Sequence, residues 1–336
     1  MSETKFTTLK PTPEEAKEIR KTFNIVGLML ILFLIIMYFN DKPMGLICGL
    51  ISGASGSVSD IIEAGKEFRR AHCVLNRVFE DFWCLMSTFI PMLIGCKLMG
   101  INIKDSLRRD TFTKDECKDA IIFGMGVDGL TTFTSMLIVM IVLIVSEGKS
   151  SIIAADATLS DKSSTAAAIL RIIYILILGP ICEELFCRGF VLQAFKKYGT
   201  EFAIFMSGLI FGLLHRDLFQ LTYTVVFGIA MAMIAVSTKS IIPAIILHMI
   251  SNFMVVLTGP MGDLFPQAKT IFLVLPVLIR IVFLFMLFGS FRKLYGKNGK
   301  WRISKDTPEE KSRSWKYMCT SLCLPMILVL VYLSLS

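Results

Sequence analysis

The chain has 336 residues, of which 54% are hydrophobic and only 18% charged, with a mean hydropathy of +0.67 and a net charge of +8. A soluble core cannot use that much apolar surface, so the composition describes a polytopic membrane protein. The positive charge does not point to nucleic acid, because Lys and Arg cluster between apolar runs, as in cytoplasmic loops beside anionic lipid headgroups.

The first 22 residues are polar and of mixed charge and resemble no cleavable signal, so the apolar run 23–39 is expected to be an uncleaved signal anchor. Lys17, Arg20 and Lys21 precede it and place the N-terminus in the cytoplasm of a multi-pass cell-membrane protein. Residues 44–51 are too few to cross, 52–59 read as a Gly- and Ser-rich turn, and 61–70 as an amphipathic surface helix. Its Lys66, Arg69 and Arg70 fit the charge rule poorly.

Spans at 78–98 and 120–145 follow, joined by a loop whose Lys104, Arg108, Arg109, Lys114 and Lys118 mark it as cytoplasmic. Residues 147–165 are polar and poor in Lys and Arg, as an outside loop should be. The chain re-enters as a long helix over 166–197, which Pro180 is expected to kink. Further spans at 201–215, 218–236, 241–257 and 270–288 are closely connected, and the basic stretch 291–316 precedes a last span at 317–335. The chain therefore reads as an all-α polytopic transmembrane helical bundle of about eight to nine spanning helices. Its parts are a cytoplasmic N-terminal segment (1–22), N-terminal transmembrane helices with the amphipathic loop helix (23–146), a core (147–290), a basic cytoplasmic loop (291–316) and a C-terminal helix (317–336). The nine cysteines lie mostly in or beside apolar runs without metal-ribbon spacing, so they read as small core residues and not as a disulfide framework.

The long helix carries Glu183, Glu184 and Arg188 inside an otherwise apolar run. At the centre of a span each charge costs about 2.5–3.5 kcal/mol on insertion scales, so such a group persists where something uses it. Glu184 and Arg188 share a helix face and can pair; Glu183 points about 100° away without a local partner. Of three histidines, His215 and His248 fall in the apolar helices, and His248 is followed one turn later by Asn252. Counting inward from the charges expected in the cytoplasm (Lys196, Glu201 and Lys239), Glu183, His215 and Asn252 lie at roughly 20 Å and His248 at roughly 14 Å. Each group alone has a structural reading: Asn252 as glue between helices, Glu184 and Arg188 as a bridge, a histidine bonded to a neighbouring helix. Together, at one depth, they point to a catalytic or ion-handling site.

Glu183-Glu184-x-x-x-Arg188, Phe211-x-x-x-His215 and His248-x-x-x-Asn252 resemble, in order, the three motifs of the CPBP family of intramembrane proteases. That family comprises the type II CAAX prenyl endopeptidases and the bacteriocin-processing and self-immunity proteins. The resemblance covers about 152–259 and implies that Glu183 and His215 hold and activate water. It also implies that Glu184 and Arg188 support the site and that His248 and Asn252 stabilise the oxyanion. The implied activity is endopeptidase cleavage of a membrane-associated peptide or protein tail, lipidated or not, at a site open to the cytoplasm, with the bilayer and no nucleic acid as surroundings.

Glu183, His215 and His248 could supply a two-His, one-carboxylate zinc site, and the same groups could work on water without metal. The chain has no HExxH. Gly53-Ala54-Ser55-Gly56 imitates a rhomboid nucleophile but lies in a turn, and Gly124-Met125-Gly126-Val127-Asp128 approaches GxGD with the Asp one residue late. Both read as chance matches. A non-enzymatic bacteriocin self-immunity or scaffolding protein is the main alternative; an ion-coupled transporter finds no internal repeat to support it.

Overall fold

The computed structural model describes residues 11–39, 42–145 and 164–335, and every regular element among them is helical. The expected outside loop 147–165 lies almost wholly outside the described residues. Helix α1 (Pro13–Phe39) starts well before the apolar run, and α2 (Lys42–Ile51) folds back on the amphipathic α3 (Val58–Ala71). Ser57 opens α3 with a capping box to Asp60. Then come α4 (Cys73–Met99), α5 (Lys114–Val145), α6 (Thr165–Lys196), α7 (Thr200–Leu214), α8 (Leu218–Thr238), α9 (Ile242–Val256), α10 (Lys269–Tyr295), α11 (Pro308–Cys319) and α12 (Cys323–Leu335).

Seven helices among the described residues are long and apolar enough to cross a membrane, or eight if α11 and α12 cross as one. The expected span over 201–215 is one that falls away. Helix α7 has 15 residues, roughly 22 Å, less than the roughly 30 Å of hydrocarbon. The last span is also not straight, since α11 and α12 meet at a 70° bend. Nor is 291–316 simply a loop. Its start belongs to α10, its end to α11, and between them Asp306 accepts the N–H groups of Glu201 and Phe202 at 3.0 and 2.9 Å, capping α7 from across the chain.

Pro180 does not break α6. The helix widens into a π turn over Tyr174–Leu178 before the proline and another over Leu185–Val191 after the glutamates, and continues to Lys196. Packed around it are α4, α7 and α9. Phe23 of α1 meets Phe195, Tyr198 and Phe202 at ring separations of 4.8, 5.9 and 5.8 Å, which locks one end of α6 and the start of α7 into the apolar core.

Candidate active site

Glu184 and Arg188 are both fully buried, and an Nη of Arg188 donates to Glu184 Oε1 at 2.6 Å. The other Nη donates to the Gly228 carbonyl on α8 at 2.7 Å, and the guanidinium lies 4.5 Å from the centre of the Phe211 ring. Gly228 permits this contact. A Cβ there would come within 2.9 Å of Phe211 and 3.1 Å of the Gly208 backbone, so glycine lets α7 and α8 close around the guanidinium. The pairing expected from the four-residue spacing is therefore present, and α7 and α8 complete it.

Glu184 Oε1 is also 3.1 Å from Nδ1 of His248, which makes Nδ1 the natural donor and turns Nε2 toward Glu183, whose Oε2 is 3.8 Å away. Glu183 is 24% exposed on its side chain against 0% for Glu184, so the first faces open space and the second lies behind it. His215 closes α7. Arg216 after it takes a left-handed conformation (φ 52°) and Asp217 caps α8, which strands the histidine at a helix end with its Nδ1 3.0 Å from the Phe211 carbonyl. The Phe211 ring stands edge-on to both histidines, at 5.1 and 5.4 Å.

Asn252 is engaged with the π turn of α6. In that register the Gly179 N–H bonds Tyr174, and the residue that would serve the Ile175 carbonyl is Pro180, which has no N–H. Asn252 Nδ2 donates to that carbonyl at 2.8 Å instead, leaving its second N–H for another acceptor.

Glu183, His215, His248 and Asn252 line one cavity of about 880 Å³, while Glu184 and Arg188 lie behind its wall. Among the described residues no group of three or more His, Cys, Asp or Glu side chains is arranged to hold a metal ion. The cavity wall runs over Asp128–Leu143 of α5, Arg171–Glu183 of α6, Gln220–Phe227 of α8 and Leu273–Arg280 of α10. On α5, α8 and α10 that is the half away from the basic ends at Lys114, Lys239 and Lys293, and on α6 it runs from the half away from Lys196 to just past the middle, at Glu183. A depth of roughly 20 Å from the basic ends already passes the middle of a roughly 30 Å core.

The cavity also collects polar groups that sequence reading passed over: Asp128, Ser251 and Arg280. Ser251 donates to Asp128 Oδ1 at 2.6 Å and Arg280 Nε to Oδ2 at 2.8 Å. A charge inside an apolar run was the available signal, and it applied to Asp128 and Arg280 as it did to Glu183.

A helical membrane protein with a buried glutamate, histidine and arginine cluster opening on a cavity is the class that fold and site define. Within it, residues 165–254 match the family model described as type II CAAX prenyl endopeptidase, Rce1-like, and the chain carries an Rce1-like domain over that segment. All seven motif residues fall inside it; Asp128 and Arg280 fall outside. A curated protein of Bacillus subtilis (strain 168), named "Putative membrane peptidase YdiL", is 36% identical over 89 residues, which are 26% of this chain and 36% of the relative. No solved structure matches.

Proposed function

We propose that the chain is an intramembrane endopeptidase that hydrolyses a peptide bond in a membrane-associated peptide or protein tail, with Glu183 as general base. The observation that carries this reading is the division of the two carboxylates, Glu183 on the cavity wall and Glu184 sealed behind it by Arg188 and His248. A water between Glu183 Oε2 and His248 Nε2 can bond both across their 3.8 Å. Glu183 takes its proton as the hydroxide oxygen attacks the carbonyl carbon, and His215, anchored through Nδ1, holds the water through Nε2. The developing oxyanion accepts from the free N–H of Asn252 and, with His248 doubly protonated, from its Nε2–H as the water moves onto the carbon, while its Nδ1–H stays on Glu184; each such donor is worth about 2.7–4 kcal/mol. Collapse of the intermediate breaks the C–N bond, and Glu183 returns the proton to the leaving amine.

The mechanism uses the side chains alone. The cavity reaches exposed Met136 and Met140 on α5, so an apolar or lipidated chain can enter from the bilayer. The test uses purified full chain and a panel of lipidated and unlipidated membrane peptides, with and without chelator. Glu183→Gln keeps shape and hydrogen-bonding capacity but not the basic oxygen, so cleavage falls at least a hundredfold with an unchanged melting temperature, and chelator leaves the wild-type rate unchanged. Cleavage by Glu183→Gln at the wild-type rate refutes the mechanism.

A further inference from the structure

The Gly124-Met125-Gly126-Val127-Asp128-Gly129 run of α5 is a packing seam. A Cβ on Gly126 would sit 2.9 Å from the Phe283 carbonyl, and one on Gly129 2.7 Å from the Arg280 carbonyl, so the small residues let α10 lie directly on α5. That approach sets Asp128 between Ser251 and Arg280, with both carboxylate oxygens taken. Arg280 is only 6% exposed and lies in an apolar spanning helix, yet among the described residues Asp128 is its sole ionic or hydrogen-bonding partner, through Nε. Its two Nη groups, four N–H donors in a fixed plane, have no protein acceptor among the described residues, and the side chain lines the cavity it shares with Glu183 and Asn252.

From this arrangement we propose that Arg280, aimed by Asp128, is a carboxylate-binding subsite of the cavity. The site thus selects peptides with a carboxylate near the scissile bond. A planar guanidinium matches a carboxylate bidentately, and at a residue only 6% exposed that pairing is stronger than at a surface. Of the other arginines on this wall, Arg171 of α6 is less suited, because Asp81 holds it at 3.4 Å and its side chain is 25% exposed, and Arg216 is exposed in the turn between α7 and α8. Ser251, which bonds the Asp128 that aims Arg280, is the residue before Asn252, so the subsite is tied through Asp128 to the turn of α9 that carries the oxyanion donors. The inference takes its substrate from the peptidase reading, but its test is a binding measurement that needs no turnover.

Three fluorescent N-palmitoylated hexapeptides of one apolar sequence are titrated into the full chain in detergent micelles: the free C-terminal acid, the C-terminal amide, and the amide with one Glu near its C-terminus. The wild type binds the free acid at least tenfold more tightly than the amide. Recovery of affinity by the Glu peptide means that a side-chain carboxylate also serves; continued weak binding means that only the terminal one does, and either result supports the subsite. Arg280→Gln brings the acid-to-amide ratio close to one, and Arg280→Lys keeps part of it, a discrimination that a purely structural ion pair would not move. If Arg280→Gln does not fold, Asp128→Asn/Arg280→Gln, which strands no charge, takes its place. Equal binding of acid and amide by the wild type, or a ratio that survives loss of the guanidinium, overturns the proposal. Absence of cleavage with the ratio intact would instead overturn the peptidase reading and leave the subsite standing.

Discussion

Replacing Arg188 by alanine removes the cation from a fully buried pair. Glu184 is left with no charged partner but the His248 ring, and its Oε2 already has no hydrogen-bond partner among the described residues. Breaking a buried pair from one side costs about 3–5 kcal/mol. The Gly228 carbonyl loses its donor as well, a further loss of about 1–3 kcal/mol. The losses share one cavity and do not simply add, so a net cost of about 4 kcal/mol is expected, a fall in melting temperature of roughly 10 °C. Thermal unfolding in micelles, followed with a thiol-reactive dye that reads exposure of the buried Cys48, Cys96, Cys187 and Cys323 above the background of exposed Cys319, measures it. Arg188→Lys keeps a charge without the fork and should retain part of both stability and activity. The double variant Glu184→Leu/Arg188→Met removes both charges, so it should regain most of the stability and still fail to cleave, because His248 has lost the carboxylate on its Nδ1. An unchanged melting temperature in Arg188→Ala, or wild-type cleavage by the double variant, would refute this account of the pair.

Two further predictions concern orientation and the cap on α7. A cysteine introduced near Ser151 should react with an impermeant reagent added outside cells and one near Lys300 should not, which with the cavity in the half remote from the basic ends makes the site accessible from the outer leaflet; the reverse labelling would invert that orientation. Asp306→Ala leaves two N–H groups of α7 uncapped, so it should cost about 1–2 kcal/mol in thermal unfolding, with Asp306→Asn recovering part; no change would mean that Asp306 does not hold the helix start.

Hydropathy and charge are local properties, and they sufficed for the all-helical bundle, the amphipathic α3 and the three motifs, because a Glu, His or Arg inside an apolar run is visible without knowing its neighbours. The four-residue spacing likewise foretold the Glu184–Arg188 pair. What packing decided was everything that takes a partner from another helix. The carbonyl that Asn252 satisfies is free only because Pro180 falls in a π register, and that Glu184 and not Glu183 bonds His248 depends on how α9 sits on α6. Asp128 looked like the tail of a chance motif and Arg280 drew no reading, since the two are over a hundred positions apart and meet only where glycines let α5 and α10 touch. Which residues share one cavity was equally out of reach, because a span's length is written along the chain while a cavity wall is drawn from several helices at once.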